Sequence, residues 1–525
     1  MNLTPRILTA LTLTALSALT CSHSWSRRNA RKIGSPTEDS LLYMRSLRCL
    51  VQPLSIVALC LWTATPTFAQ PAGYLPATVT QALKNAKIPE SAIAVVVQNT
   101  TGTTPYVAIN ADRPMNPASL MKLLTTYAAL DLLGPSYTWT TEVWINGALK
   151  NGVLDGDLVL KGSGDPKLTF EQFWLLLRQV RELGVREIRG DLVLDRSLFE
   201  IAAANAENDK IIDDQPLRPY NVGPDALLLN FKTLRIRLIG DTVKNTLDSL
   251  IEPQPTNLDI INLIKPTGGD CGNWKESLRA DLSQHGDRLI LSGNYPTVCG
   301  RNIWNLGVLT HPKYVDGVFR QLWQELGGTI NGALREAPAP IEARLLASIE
   351  SPTLAEVVHD TNKYSNNVMA RQLFLTLAAA KGSRPARTAD AEAVLRTWLA
   401  QKDMHFPELQ LENGSGLSRH ERIAAASLAR LLVSAWKSPL MPEFIASLPL
   451  AGVDGTMKKR LRQNGLAGQA HIKTGSLEGV KAIAGYVLDH NGNWQTVVFI
   501  VNHPNAAAAQ DAQDALLQWV YERSG

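Results

Sequence analysis

Apolar positions along the 525-residue chain change their period several times, and the changes mark out its elements. Residues 119–133 are apolar almost throughout and stop at Gly134-Pro135, which predicts a largely buried helix with Pro117 at its approach. From 137 to 304 the pattern is mostly that of strands. Residues 138–145 and 154–160 flank Asn151-Gly152 and predict a hairpin, and 191–194 and 234–239 are similarly β-rich. Helical spacing returns at 318–326, closed by Gly327-Gly328, and again from Val368. Towards the C-terminus, 470–473, 480–488 and 494–502, with a turn at Asn491-Gly492, predict an antiparallel meander. Residues 510–522 then place Leu516 and Val520, with Leu517 and Trp519 beside them, on one side of a helix that docks on that sheet. No internal repeat interrupts this order.

Composition changes the picture in two places. The apolar content of 45% suits a folded chain, and 525 residues leave room for several domains. The net charge of +4 belongs to the N-terminus: the first 69 residues hold seven Lys/Arg and two Asp/Glu, and the remainder balances at 45 against 46. The rest of the chain therefore carries no nucleic-acid signature. Apolar stretches at 8–20 and 50–63 are both short for a membrane span. The second has Arg45 and Arg48 before it and Thr67-Phe68-Ala69 after it, which predicts a signal peptide cleaved after Ala69 and translation from Met44. The C-terminal helix, with Asp511, Asp514 and Glu522, lacks the basic face of an interfacial anchor, so no stable membrane anchor is expected.

Cysteine usage follows from export. Cys21, Cys49 and Cys60 leave with residues 1–69, and the remaining pair, Cys271 and Cys299, is expected to form a disulfide. Two cysteines without clustered histidines make no ligand set, so neither a metal nor any other cofactor is expected. His471, two residues before Lys473, reads as a packing residue.

Three separated segments carry chemistry: Ser119-Leu120-Met121-Lys122, Ser365-Asn366-Asn367 and Lys473-Thr474-Gly475. A serine hydroxyl is a poor nucleophile until a neighbouring base takes its proton. On a helix, Lys122 lies one turn beyond Ser119 on the same face. An amine buried there, with Lys473 as a second cation, loses basicity towards the range a general base needs. Singly, each segment is ordinary: a solvated helix face, turn chemistry and a strand end. The middle one has two registers, Tyr364-Ser365-Asn366 as Y-x-N or Ser365-Asn366-Asn367 as S-x-N.

Together and in this order the segments resemble the S-x-x-K, S-x-N, K-T-G signature of the penicillin-interacting serine enzymes. The chain is similar to one family within them, the class C low-molecular-mass penicillin-binding proteins, which are D-alanyl-D-alanine carboxypeptidases/endopeptidases. Asn116-Pro117-Ala118-Ser119, Lys161-Gly162-Ser163-Gly164-Asp165-Pro166, and the blocks at 413–419 and 448–456 all carry the resemblance. The block at 413–419 usually opens with Asp and here opens with Asn413.

The resemblance implies a multi-domain α/β protein. Its penicillin-binding/β-lactamase-like catalytic domain, an antiparallel sheet flanked by helices plus a helical subdomain, is split by a large β-rich insertion. The 242 residues between Lys122 and Ser365 accommodate that insertion. The expected organisation is a leader at 1–69, catalytic parts at 70–136 and 306–525, and inserted β-rich structure at 137–305. The implied enzyme is a periplasmic serine peptidase acting on peptidoglycan peptides and acylated by β-lactams. Ser119 would be the nucleophile and Lys122 its base. Ser365 would relay a proton, Asn367 hold the substrate amide, and Lys473 with Thr474, Gly475 and Ser476 bind the substrate end. The resemblance favours S-x-N. A β-lactamase or esterase of the same superfamily is the alternative; the intact set of polar residues argues against an idle wall-binding protein.

Overall fold

Ile93 to Val97 are apolar at every position, so a strand built from them needs cover on both faces. The computed structural model, which describes residues 73–200, 215–463 and 465–523, supplies that cover. Ile93–Asn99 lies inside a five-stranded antiparallel sheet ordered Ala470–Leu477, Val480–Leu488, Trp494–Asn502, Ile93–Asn99, Val107–Ile109. The C-terminal meander thus appears as expected and recruits a strand from the other end of the chain. Alternate residues face two cores. Ala94, Val96, Ala484, Tyr486, Val498 and Ile500 meet a layer of helices. Val95, Val97, Ile483, Val497 and Phe499 meet Val79 and Leu83 of helix Ala77–Asn85 and Leu516, Leu517 and Val520 of helix Gln510–Glu522.

The helical layer holds Met121–Leu133, Leu354–Lys363, Asn367–Ala380, Thr388–Gln401, Ala425–Lys437 and Met441–Ser447. Met121 through Leu130 are buried on every side, which explains why the first of these helices shows no polar face in sequence.

A second lobe interrupts this arrangement. Thr140–Lys150 and Val153–Lys161 form the expected hairpin, with Asn151 and Gly152 both at positive φ (49° and 83°), the conformation its turn requires. Helix Phe170–Glu182, which the strand pattern had hidden, crosses back so that Leu192–Asp195 runs parallel to Val153–Lys161. Arg344–Glu350 pairs with the far side of Thr140–Lys150. Helix His311–Glu325 sends Tyr314, Val318, Phe319, Leu322 and Trp323 into the same core. Residues 311–350 therefore build on the inserted sheet, and the helical layer resumes at Leu354 instead of near 306. Helical periodicity marks an apolar face without saying which sheet will cover it.

Two smaller sheets complete the lobe, one of three strands around Thr233–Asp241 and one of four around Arg288–Pro296. Cys271 and Cys299 are joined there, Cα atoms 4.9 Å apart, as expected. Gln372 ties the lobe to the helical layer. Its buried amide donates to the carbonyls of Asp225 (2.8 Å) and Gly164 (3.1 Å) and accepts from the Asp225 N–H (2.8 Å). The start at Met44, the cleavage after Ala69 and Cys21, Cys49 and Cys60 lie outside the described residues. Among the described residues, no helix is long and apolar enough to cross a membrane.

Candidate active site

Ala118 sits at φ 45°, a left-handed conformation that alanine adopts only at a cost. It opens the single 3₁₀ turn Ala118–Leu120, and the α-helix begins at Met121. Ser119 is thus just outside the helix rather than its first residue, and Lys122 still lies beside it: Nζ is 3.0 Å from Ser119 Oγ. The same Nζ donates to Asn367 Oδ1 (2.6 Å) and to the Ser415 carbonyl (2.5 Å). Lys122 is fully buried.

Lys473 comes from the edge strand of the five-stranded sheet, Ala470–Leu477, which continues past the expected end at Lys473 to carry Thr474, Gly475 and Ser476 along the site. Lys473 Nζ donates to Ser365 Oγ (2.7 Å) and to the Thr474 carbonyl (2.9 Å). Thr474 Oγ1 meets Thr456 Oγ1 at 2.7 Å, and Ser476 is exposed. A Cβ on Gly475 would stand 2.7 Å from the Pro117 carbonyl, and one on Gly416 would stand 1.8 Å from the Ala118 carbonyl. Bare backbone at both positions is what lets the edge strand and the 413–419 loop close around Ser119.

Ser365 occupies the break between helices Leu354–Lys363 and Asn367–Ala380, again at positive φ (56°). The intervening Asn366 caps the second helix by accepting the Met369 N–H at 3.1 Å. Tyr364 is 67% exposed. The side chains that reach the two lysines are therefore Ser365 and Asn367, the S-x-N register. Ser119 and Asn367 gather on Lys122, Ser365 on Lys473, and the two groups are near enough for the charge of Lys473 to act on Lys122. His471 packs away from it, Nδ1 3.1 Å from the Ile445 carbonyl and its ring beside Trp494.

Burial sets the electrostatics. It lowers Lys122 well below the usual lysine range, and the charges of Lys473 and Arg371 push the same way, while Glu421 opposes them. Burial brings Lys473 down to about 7. A neutral amine within hydrogen-bond reach of a serine hydroxyl can take its proton, which no lysine of ordinary basicity does at neutral pH.

Several participants left little trace in sequence. Ser415 acts through its carbonyl and the Tyr220 carbonyl accepts from Asn367 Nδ2 (3.4 Å); backbone contacts have no residue signature. Thr456 and Ser415 do fall inside the blocks at 448–456 and 413–419, which were the available pointer. Asn413 replaces the expected Asp by organising its own turn, accepting from the Ser415 N–H and Oγ and donating to the Leu417 carbonyl.

A model of the D-Ala-D-Ala carboxypeptidase 3 (S13) family matches residues 75–523. The chain belongs to that family. It is a serine D-Ala-D-Ala carboxypeptidase, as the sequence resemblance implied. It is 26% identical over 420 residues to the D-alanyl-D-alanine carboxypeptidase DacB of Haemophilus influenzae, covering 79% of this chain and 86% of that one. To the D-alanyl-D-alanine carboxypeptidase of an Actinomadura species it is 28% identical over 448 residues, 82% and 81% of the two chains. Among solved structures, penicillin binding protein 4 (dacB) from Haemophilus influenzae superposes with a TM-score of 0.69 at 25% identity, covering 84% of this chain and 99% of that one. The likeness spans both lobes, so the α/β fold with its penicillin-binding core is the family's.

Proposed function

We propose that this carboxypeptidase trims peptidoglycan stem peptides through an ester formed on Ser119. Lys122, as the neutral amine, takes the hydroxyl proton while Ser119 Oγ attacks the carbonyl between two D-alanines. The N–H groups of Ser119 and Ser476 hold the oxyanion. Ser365 passes the proton to the leaving amine, Asn367 holds the substrate amide, and Lys473 with Thr474 binds the terminal carboxylate. Gly475 leaves room for the substrate backbone along the edge strand. Water then releases the acyl group. An amide made by the next stem peptide in a cross-bridge presents the same bond, so endopeptidase activity belongs to this reading, as does inhibition by β-lactams. Residues 70–136 and the C-terminal part form the catalytic domain, split by the inserted lobe. The protein works in the periplasm, its mature form beginning at Gln70.

The observation that carries the reading is the buried Lys122 amine 3.0 Å from Ser119 Oγ. The test is labelling with a fluorescent penicillin followed by digestion of cross-linked muropeptides. Wild type should form a long-lived adduct and release D-alanine, and Ser119→Ala should fold but stay unlabelled. Labelling of Ser119→Ala would place the nucleophile elsewhere. Rapid penicillin turnover without D-alanine release would make the protein a β-lactamase.

A further inference from the structure

Glu421 lies two residues beyond the 413–419 block and is wholly inaccessible to solvent. Its Oε1 accepts the consecutive N–H groups of Glu412 (3.1 Å), Asn413 (3.0 Å) and Gly414 (3.0 Å). Burial, with the facing Glu412, pushes the Glu421 carboxyl up, and the three N–H donors on one oxygen pull the other way, towards the ionised form. Its Oε2 is equally buried and, among the described residues, has no hydrogen-bond partner. That arrangement is costly unless a cation lies close enough to compensate.

The loop that Glu421 gathers touches the catalytic lysine. The Gly414 carbonyl accepts from Thr125 Oγ1 (2.6 Å), and the next carbonyl, of Ser415, accepts from Lys122 Nζ (2.5 Å). Around Lys122, the edge strand presents Lys473 and helix Asn367–Ala380 presents Arg371, both cations; Glu421 is the opposing anion. Glu412 faces Glu421 as a second carboxylate, and its Oε2 is taken by Ser418 Oγ. Asn413, where the block usually carries Asp, is neutral and donates to the Leu417 carbonyl (2.9 Å), which a carboxylate cannot do.

We infer that Glu421 is a positioning residue for Lys122: it holds the 412–415 loop so that the Ser415 carbonyl stays on Nζ, and its carboxylate supplies the negative charge that position 413 lacks. This rests on Lys122 being the base for Ser119. Without that anion, Lys122 stands among cations alone and loses its proton at lower pH.

The readout is the pH dependence of penicillin acylation, in which the acid limb reports protonation of Lys122. Glu421→Gln keeps the shape and removes the charge, and should move that limb down by about one pH unit. Glu421→Asp keeps the charge and loosens the loop, so it should melt earlier and move the limb by less than Glu421→Gln does. A wild-type limb in Glu421→Gln would overturn the inference, and so would an equal shift in both variants. Infrared spectra of wild type labelled with carboxyl-¹³C glutamate give a reading that needs no variant: no protonated glutamic acid band is expected at pH 7, and one present there would overturn it. Wild type that fails to take up penicillin would sink the Ser119 reading itself; labelled wild type with an unmoved Glu421→Gln limb sinks only the role of Glu421.

Discussion

At the start of helix Asn367–Ala380, Asn367 meets Lys122; five residues on, Gln372 meets the backbone of Asp225. The two ends of this contact are buried charge clusters with opposite outcomes. In the inserted lobe, the Asp225 carboxylate takes Arg196 Nε through both oxygens (3.0 and 2.9 Å) and the Leu227 N–H (2.8 Å), and Arg196 also reaches Glu336. Burial works against ionising Asp225 and also brings the facing His311 down to about 4, so at neutral pH Arg196 and the Leu227 N–H are what favour the carboxylate, which is held below its usual range. In the other lobe, Lys122 and Lys473 have hydroxyls and carbonyls as hydrogen-bond partners; Glu421 is the one anion opposing burial at Lys122, and both amines are still driven towards neutrality. A buried charge with complementary partners stays charged and fixes structure. One denied such partners becomes a reagent.

Replacing the amine tests the second half of that contrast. Lys122→Met should slow penicillin acylation by about 10²–10⁴-fold, the usual share of a positioned base, without lowering the melting temperature. Stopped-flow acylation beside a thermal scan checks it, and a retained rate in a destabilised protein would erase the distinction. The mirror experiment is Arg196→Met, which strands the wholly buried Asp225. Urea unfolding should show a loss of roughly 3–5 kcal/mol, while the folded fraction acylates as before.

Cys271→Ser with Cys299→Ser asks whether the inserted lobe can be weakened at another point with the same indifference of the chemistry. Releasing a loop of 28 residues should cost roughly 3–4 kcal/mol in the chain-entropy account and leave acylation unchanged. The smallest effect belongs to Lys473. With its free-enzyme value near 7, the ammonium is lost as pH rises, so kcat/KM for a carboxylate-bearing peptide should fall about tenfold per unit above that pH. The bound carboxylate favours the charged form, so the matching limb of kcat should lie higher. Lys473→Arg, whose guanidinium stays charged, should abolish the limb in kcat/KM; a limb that survives belongs to another group.

What could be read from sequence divides along similar lines. Local signals were legible: the Asn151-Gly152 turn, the C-terminal meander and the three segments that meet at the lysines. Helix Phe170–Glu182 was missed although Thr169 and Gln172 form a capping box at its start, because β-rich neighbours dominated the pattern. Helix His311–Glu325 was recognised as a helix and assigned to the wrong neighbour, since its apolar stripe fits any sheet. The part of the site built from backbone, the Ser415 and Tyr220 carbonyls and the left-handed Ala118, is written in no side chain. Glu421 was visible as a residue, but its burial, and with it its meaning, depends on the loop that closes over it.

The pairing of Val95 with Phe499 sets an order of events in time. At about 5–20 residues per second, roughly 20–80 s of synthesis separates the first of these strands from the second. Throughout that interval Ile93–Asn99 has no partner on the side that Trp494–Asn502 will occupy, and the edge strand bearing Lys473 is made only in its last few seconds. The inserted lobe waits only about half as long, since the widest pairing of its largest sheet joins Thr140 to Glu350. Ser119 and Lys122 are made early, and the cluster they share with Lys473 can close only after residues 470–502 have been added.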